Sequence, residues 1–318
     1  MDDTVNMPPK VAIILVNLNQ EEHTRQCLQS LGQLTYQNLE IILIDNGSSD
    51  GSGAKIHKEF STVLYKHIES NTGFAGGNNI GIRLALQGEA DYVLLLNNDT
   101  IVDPDCIQPL VELDAANKDI GAQCGKIYFS SDPNKLWYAG GLYSVDKALS
   151  IHRGMHSVDN GQYNNVEETD FATGCMMFMG RSALEKVGFL DDSLFAYFED
   201  VDWCLRARTL GYQIMYNPQS KIWHAISVTS KIDSASYLYL QMRNKILMVR
   251  NHGRSGRWLT LLPYFVYFYG RNILRMALRH RSALRTSAII TGLVDGLSRN
   301  PANHGKGHLD LFASQGNS

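Results

Sequence analysis

No two cysteines of this chain stand in C-x-x-C spacing. The five present, Cys27, Cys106, Cys124, Cys175 and Cys204, are odd in number and far apart. That excludes a disulfide framework and a cysteine-based zinc site, and it fits reduced thiols in the cytosol. The G-x-G-x-x-G fingerprint and the G-K-[ST] phosphate loop are missing too. The glycines of GFAGGNNIG at 73–81 have the wrong spacing, so dinucleotide binding is poorly supported. Gly73, Gly76 and Gly77 are as well explained by a loop that approaches a sheet and starts a helix. No apolar run reaches the roughly 20 residues that a membrane span needs. The opening MDDTVNMPPK is acidic and then proline-rich, unlike a signal peptide.

Charge of one sign is missing locally. The whole chain carries a net charge of −3, which gives it no general affinity for nucleic acid. Between Asp233 and Asp295, however, there is no acid, while ten Lys and Arg residues lie from Arg243 to Arg285. This interval holds WLTLLPYFVYFYG at 258–270, and then NILRMALRHRSALR, in which Ile273, Leu274, Ala277, Leu278 and Leu284 share a helical side. Such a segment suits a membrane surface carrying anionic lipid. It equally suits a basic helix packed on its own domain.

What is present reads as an ordinary globular protein, 44% hydrophobic and 19% charged over 318 residues, enough for one large domain with an appendage. VAIILVN at 11–17 is a continuous apolar run, the mark of a strand covered on both faces. EEHTRQCLQSLGQL follows as a helix with Cys27, Leu28 and Leu31 on one side. LEIILIDNGSSDGS gives a second buried strand ending in Asp45 and a turn-rich stretch, about 52–60 a helix, TVLYKHI a third strand, NTGFAGGNNIGIRLALQ a glycine-rich loop that becomes a helix, and DYVLLLNND a fourth strand. This alternation predicts an α/β fold with a parallel, doubly covered sheet. Beyond 120 it weakens into short strands near 121–129, 136–144, 148–153 and 174–179, then a helix opening at FAYFEDVDW. QIMYNPQSKIWHAISV gives one or two strands, and a helical pattern runs from 233 to 298.

Ligands of parallel sheets bind at the carboxyl ends of the strands. That rule brings Asn17, Asn19, Asp45, Asn46, Asn97, Asn98 and Asp99 to one rim. Asp45 serves equally as a turn former in DNGSSDGS and as an acceptor for a nucleotide's base or ribose. Asp99, leaving a buried strand, suits a hard cation, and equally caps the turn before PDCIQP. His224 in IWHAIS is flanked by apolar residues, a setting more typical of a structural histidine than of a ligand. Glu199, Asp200 and Asp202 read either as first-turn acids favoured by the helix dipole or as a catalytic carboxylate cluster at a pocket mouth.

The ordered set decides between these readings. VNLN at 16–19, IDNGSSDGS at 44–52, NTGFAGGNNIG at 71–81, LNNDTIVDPD at 96–105, ATGCMMFMGRSALEKVGFLDDSLFAYFEDVDWCLRARTLGY at 172–212, IWHAIS at 222–227 and QMRNK at 241–245 span about 230 residues in order. Together they resemble family 2 glycosyltransferases of the GT-A fold, in particular bacterial rhamnosyltransferase-like and galactofuranosyltransferase-like members. The resemblance implies a Rossmann-like, mainly parallel mixed sheet with helices on both faces over 1–232, and a basic helical appendage over 233–318.

It further implies that Asp45 holds the nucleotide near Asn17 and Asn19. Asp99 matches the last acid of the family's D-x-D motif and His224 a further ligand, for Mn²⁺ or Mg²⁺ on the donor's diphosphate. Asn97 replaces the first acid of that motif, so the site reads N-N-D with Asn98 between, and less charge faces the metal. In the E-D pair, Asp200 matches the catalytic base and Glu199 orients the acceptor, while Asp202 is a first-turn acid. Arg243 either approaches the diphosphate or sits on a helix surface. The expected activity is inverting transfer from a nucleoside-diphosphate sugar to a hydroxyl of a glycan or lipid-linked acceptor. The expected setting is polysaccharide synthesis at the cytoplasmic face of the membrane. A nucleotidyltransferase is disfavoured because VNLNQEEHT is neutral to acidic where a triphosphate grip needs cations. A catalytically silent sugar-nucleotide-binding or lectin-like module would have little need of the E-D acids. The choice among UDP, dTDP and GDP stays open.

Overall fold

The computed structural model describes residues 7–225, 234–253, 271, 283–298, 308 and 312. The chain divides into two compact units. The first holds residues up to Leu142, 151–195 and the stretch from Glu199 through the described residues to 225. The second holds 143–150, 196–198 and the described residues from Ser234 onward.

The first unit is built on a ten-stranded mixed sheet. Strands β1 (Val11–Asn17), β2 (Leu39–Asn46), β3 (Leu64–Ile68) and β4 (Tyr92–Leu96) run parallel in the order β4-β1-β2-β3. The apolar runs of β1, β2 and β4 are buried, as the sequence predicts for a covered sheet, while β3 at the edge is largely exposed. The cover over β1 is close. In α3 (Gly73–Gln87), a Cβ on Gly77 would come within 2.9 Å of Val16 and one on Gly81 within 2.4 Å of Ile14. Helix α1 (Glu21–Leu31) buries Cys27, Leu28 and Leu31 as expected, with Thr24 beside them. Helix α2 is Ser52–Glu59.

The second half of the sheet is where the polarity changes. After β5 (Thr100–Val102) and α4 (Gln108–Ala116) come β6 (Ile120–Phe129), β7 (Asp132–Tyr138) and the paired strands β8 (Gly141–Ser144) and β9 (Leu149–His152). Strand β10 is Glu167–Glu168 and β11 is Met176–Gly180. β11 lies antiparallel between β4 and β6. Helices α5 (Arg181–Val187) and α6 (Glu199–Thr209) lead into β12 (Gln213–His224), a single long strand rather than two short ones. β12 runs parallel to β6 with irregular register between Asn217 and Lys221, and its last residues pair antiparallel with β5. That pairing sets His224 opposite Thr100, next to Asp99.

In the second unit, Ser234 caps α7 (Ala235–His252) by accepting the Tyr237 N–H at 3.1 Å. Helix α8 (Ala283–Leu297) crosses α7 closely, since a Cβ on Gly292 would lie 2.5 Å from the Tyr239 carbonyl. Met242, Ile246 and Ile289 form their shared core. Arg243 is buried and its Nη1 donates to Asn244 Oδ1 at 2.9 Å, so the surface position considered from the sequence is incorrect. Asn244 Nδ2 donates to the carbonyls of Ala196 and Tyr197, both at 2.9 Å. The aromatic run 258–270, and Ile273 through Leu278, lie outside the described residues.

Candidate active site

The candidate site has three pieces: two follow parallel strands and the third opens α6. The first sits where β1 and β2 end. Asn17 is buried, and its Nδ2 donates to Ser52 Oγ at 2.9 Å and Ser48 Oγ at 3.1 Å, with Asp45 Oδ1 at 3.4 Å. Its Oδ1 accepts from Thr24 Oγ1 at 2.9 Å, and Asn98 Nδ2 donates to the same hydroxyl at 2.7 Å. Asn19, at φ 54°, accepts the Ser49 N–H at 2.8 Å. Asn17, Asn19 and Asn98 therefore brace the 47–52 loop and the N-N-D turn around Asp45. Asp45 itself is buried and accepts from Tyr65 and His67 of β3.

The second gathering is the N-N-D turn after β4. His224 Nε2 lies 3.1 Å from Asp99 Oδ1 and 3.4 Å from Asn97 Nδ2. Neighbouring ligands on one small cation stand about 3 Å apart when each is near 2.1 Å from it, so this carboxylate and imidazole fit a shared divalent ion. An amide oxygen and diphosphate oxygens would complete a hard donor set. Among the described residues no three His, Cys, Asp or Glu side chains converge on one point. The Nδ1 of His224 is buried without a hydrogen-bond partner. The ring is held instead by Trp137, edge-on with centroids 4.7 Å apart, and Trp137 packs edge-on against His152 at 4.4 Å as well.

The third piece is the opening of α6. Phe195, Tyr197 and Phe198 all have left-handed backbone, at φ 63°, 70° and 74°, directly before Glu199. Bulky residues rarely adopt this conformation, and it costs on the order of 1–3 kcal/mol per residue. Gly73 admits the bend: a Cβ there would strike the Phe195 carbonyl at 2.4 Å, and the Ala75 N–H donates to that oxygen at 3.0 Å.

Beyond the bend the acids separate by environment. Glu199 is buried, and its Oε2 has no partner. Burial first, and the nearby Asp200 charge second, push its carboxyl well above the usual range. Asp200 is half-buried and accepts N–H bonds from Gly174 and Val201, each at 2.8 Å. Burial raises its pKa, and those two N–H donors oppose the rise. Asp202 is buried and tied to Arg206 Nε at 2.8 Å, a helix i,i+4 pair, in keeping with a first-turn acid.

A three-residue loop joins the second and third pieces. Gly174 donates to Asp200, and the carbonyl of Cys175 accepts the Asn97 N–H at 3.0 Å. Trp137 carries no sequence signal of its own, because its partner His224 lies dozens of residues away. All five cysteines are buried free thiols. Burial pushes Cys27, beside Thr100, up to about 12, so it is inert.

Residues 12–188 match the family model described as Glycosyl transferase family 2. The chain belongs to that family. Among similar proteins is the low-salt glycan biosynthesis hexosyltransferase Agl10 of Haloferax volcanii, 26% identical over 243 residues covering 74% of each chain. The poly-beta-1,6-N-acetyl-D-glucosamine synthase of Staphylococcus aureus is 28% identical over 222 residues. That match covers 69% of this chain and half of the synthase. The fold resembles that of S. aureus TarS 1–349, with TM-score 0.57 and 12% identity over 95% of this chain and 83% of that one. It also resembles mannosyltransferase PcManGT from Pyrobaculum calidifontis, solved in complex with GDP-Man and Mn²⁺, with TM-score 0.56 and 15% identity over 98% and 88%. The family 2 chain thus has the GT-A architecture. The N-N-D turn, the E-D pair and the β2 acid named from its sequence lie in one unit of it.

Proposed function

We propose that this family 2 glycosyltransferase moves a sugar, with inversion, from a nucleoside-diphosphate donor to a hydroxyl of a glycan or lipid-linked acceptor. One observation carries the reading. The loop Thr173–Cys175 hydrogen-bonds the half-exposed Asp200 on one side and the N-N-D turn on the other, so a base and a diphosphate-binding turn are held by one short segment.

Asp200 takes the proton of the acceptor hydroxyl as its oxygen forms a bond to the anomeric carbon. The bond from that carbon to the diphosphate oxygen breaks on the opposite face, and its electron pair leaves with the nucleoside diphosphate. Asp99 and His224, with the Asn97 amide, would hold Mn²⁺ or Mg²⁺. The ion supplies charge that offsets the negative charge growing on the leaving group. Glu199, next to the base, orients the acceptor, and Asp45 receives the nucleotide. The basic interval of the second unit favours work at the cytoplasmic face of an anionic membrane, and among the described residues no helix is long and apolar enough to cross one.

Asp200→Asn is the direct test. Transfer, followed as release of nucleoside diphosphate in the presence of a glycan acceptor, is expected to fall by about 10²–10⁴-fold, with donor binding within about twofold of the parent. In the parent, rate should fall with acidification through an inflection above the ordinary aspartate range, since the base must be ionised and burial raises its pKa. Retained transfer in the variant would remove Asp200 from the reaction.

A further inference from the structure

The carboxylate of Asp45 has four lone pairs to satisfy, and the structure distributes its donors unevenly. Oδ2 takes two bonds, from the Tyr65 hydroxyl at 3.1 Å and from His67 Nδ1 at 2.9 Å. The carboxylate only accepts, so His67 carries its proton on Nδ1. Tyr65 and His67 alternate on one face of β3, and His67 stands in register with Asp45. Tyr65 is further fixed by the His57 ring stacked on it at 4.7 Å. Gly53 closes the remaining approach, since a Cβ there would lie 2.1 Å from Oδ2.

Oδ1 is treated differently. Among the described residues its one neighbouring donor is Asn17 Nδ2 at 3.4 Å. That amide has two protons, and it has nearer acceptors for both in Ser52 Oγ and Ser48 Oγ. One oxygen is saturated, and the other keeps capacity for one short bond.

From this we infer that Tyr65 and His67 are specificity-determining residues that restrict the donor to a uridine or thymidine diphosphate sugar. The inference rests on the proposed role of Asp45 in nucleotide binding. Uracil and thymine present a single imide N–H, which Oδ1 alone satisfies. Guanine presents a pair of donors, its ring N–H and its amino group, and a carboxylate meets them with both oxygens. With Oδ2 occupied, one guanine donor is left unpaired on burial, a loss that favours the pyrimidine by about tenfold or more.

The test is calorimetric titration of the full chain with UDP, dTDP and GDP in Mn²⁺, for the parent and for the double variant Tyr65→Phe, His67→Ala, with folding of each checked by its melting transition. The parent is expected to bind UDP or dTDP at least about tenfold more tightly than GDP, and the variant to narrow that ratio by about tenfold. A merely structural role would weaken all three nucleotides alike and leave the ratio unchanged, which would overturn the inference. Preference of the parent for GDP would overturn it as well while leaving the transferase reading intact. Binding of none of the three by folded protein would remove the nucleotide site on which both stand.

Discussion

Glu199 and Asp200 are neighbours in sequence, and their hydrogen bonding differs. Glu199 is buried with an unpartnered oxygen, while Asp200 is half-buried and accepts two backbone N–H bonds. Folding raises the Glu199 pKa, so the folded state binds more protons than the unfolded one. Its contribution to stability is complete below the unfolded glutamate value and is lost as pH rises toward the raised folded value. Glu199→Gln, an uncharged isostere, should therefore raise the melting temperature at neutral and mildly alkaline pH and leave it little changed near pH 4. A variant that melts lower at every pH would mean that the buried carboxylate is paired after all. The sequence singles out Asp99, His224 and Asp200 by motifs whose order is specific, and the fold sets Asp99 beside His224. Trp137 was not legible there, because it matters through contacts with His152 and His224 that form only once the fold brings them together.

Among the elements, the glycine-rich segment at 73–81 shows how a motif without the dinucleotide spacing still has a physical purpose. Gly73 admits the bent chain at Phe195, and Gly77 and Gly81 let α3 lie on β1. Gly81→Ala places a methyl carbon 2.4 Å from Ile14 Cγ2. Because this is the packed centre of the sheet, the substitution should cost about 1–3 kcal/mol, read as a lowered denaturant midpoint at unchanged slope. An unchanged midpoint would mean that α3 shifts freely over β1. The parallel half of the sheet was readable from apolar runs alternating with helical periods. The reversal at β11 and the single long β12 were not, since polarity and strand continuity leave little trace in periodicity. Yet these two elements carry the Thr173–Cys175 loop and His224 to their places.

On the scale of the whole molecule, a net charge of −3 conceals ten basic residues in an interval free of acid. If this interval meets an anionic membrane, the protein should co-sediment with vesicles containing anionic lipid at low salt and be released as the screening length shortens toward molar salt. Absence from the pellet at low salt would remove the membrane from the proposal and leave a basic helix packed on its own unit. The family match, residues 12–188, covers the strands that lead to Asp45 and the N-N-D turn, while Asp200 and His224 lie beyond it in the same unit.

The account turns on whether the N-N-D turn and His224 serve a metal-bound diphosphate. The measurement that tests it most directly is calorimetric titration of the parent and of His224→Ala with UDP and dTDP, each with and without Mn²⁺. Binding of one diphosphate that requires Mn²⁺ and weakens about tenfold or more in the variant is the predicted result. Equal affinity with and without the metal, unchanged in His224→Ala, would contradict it.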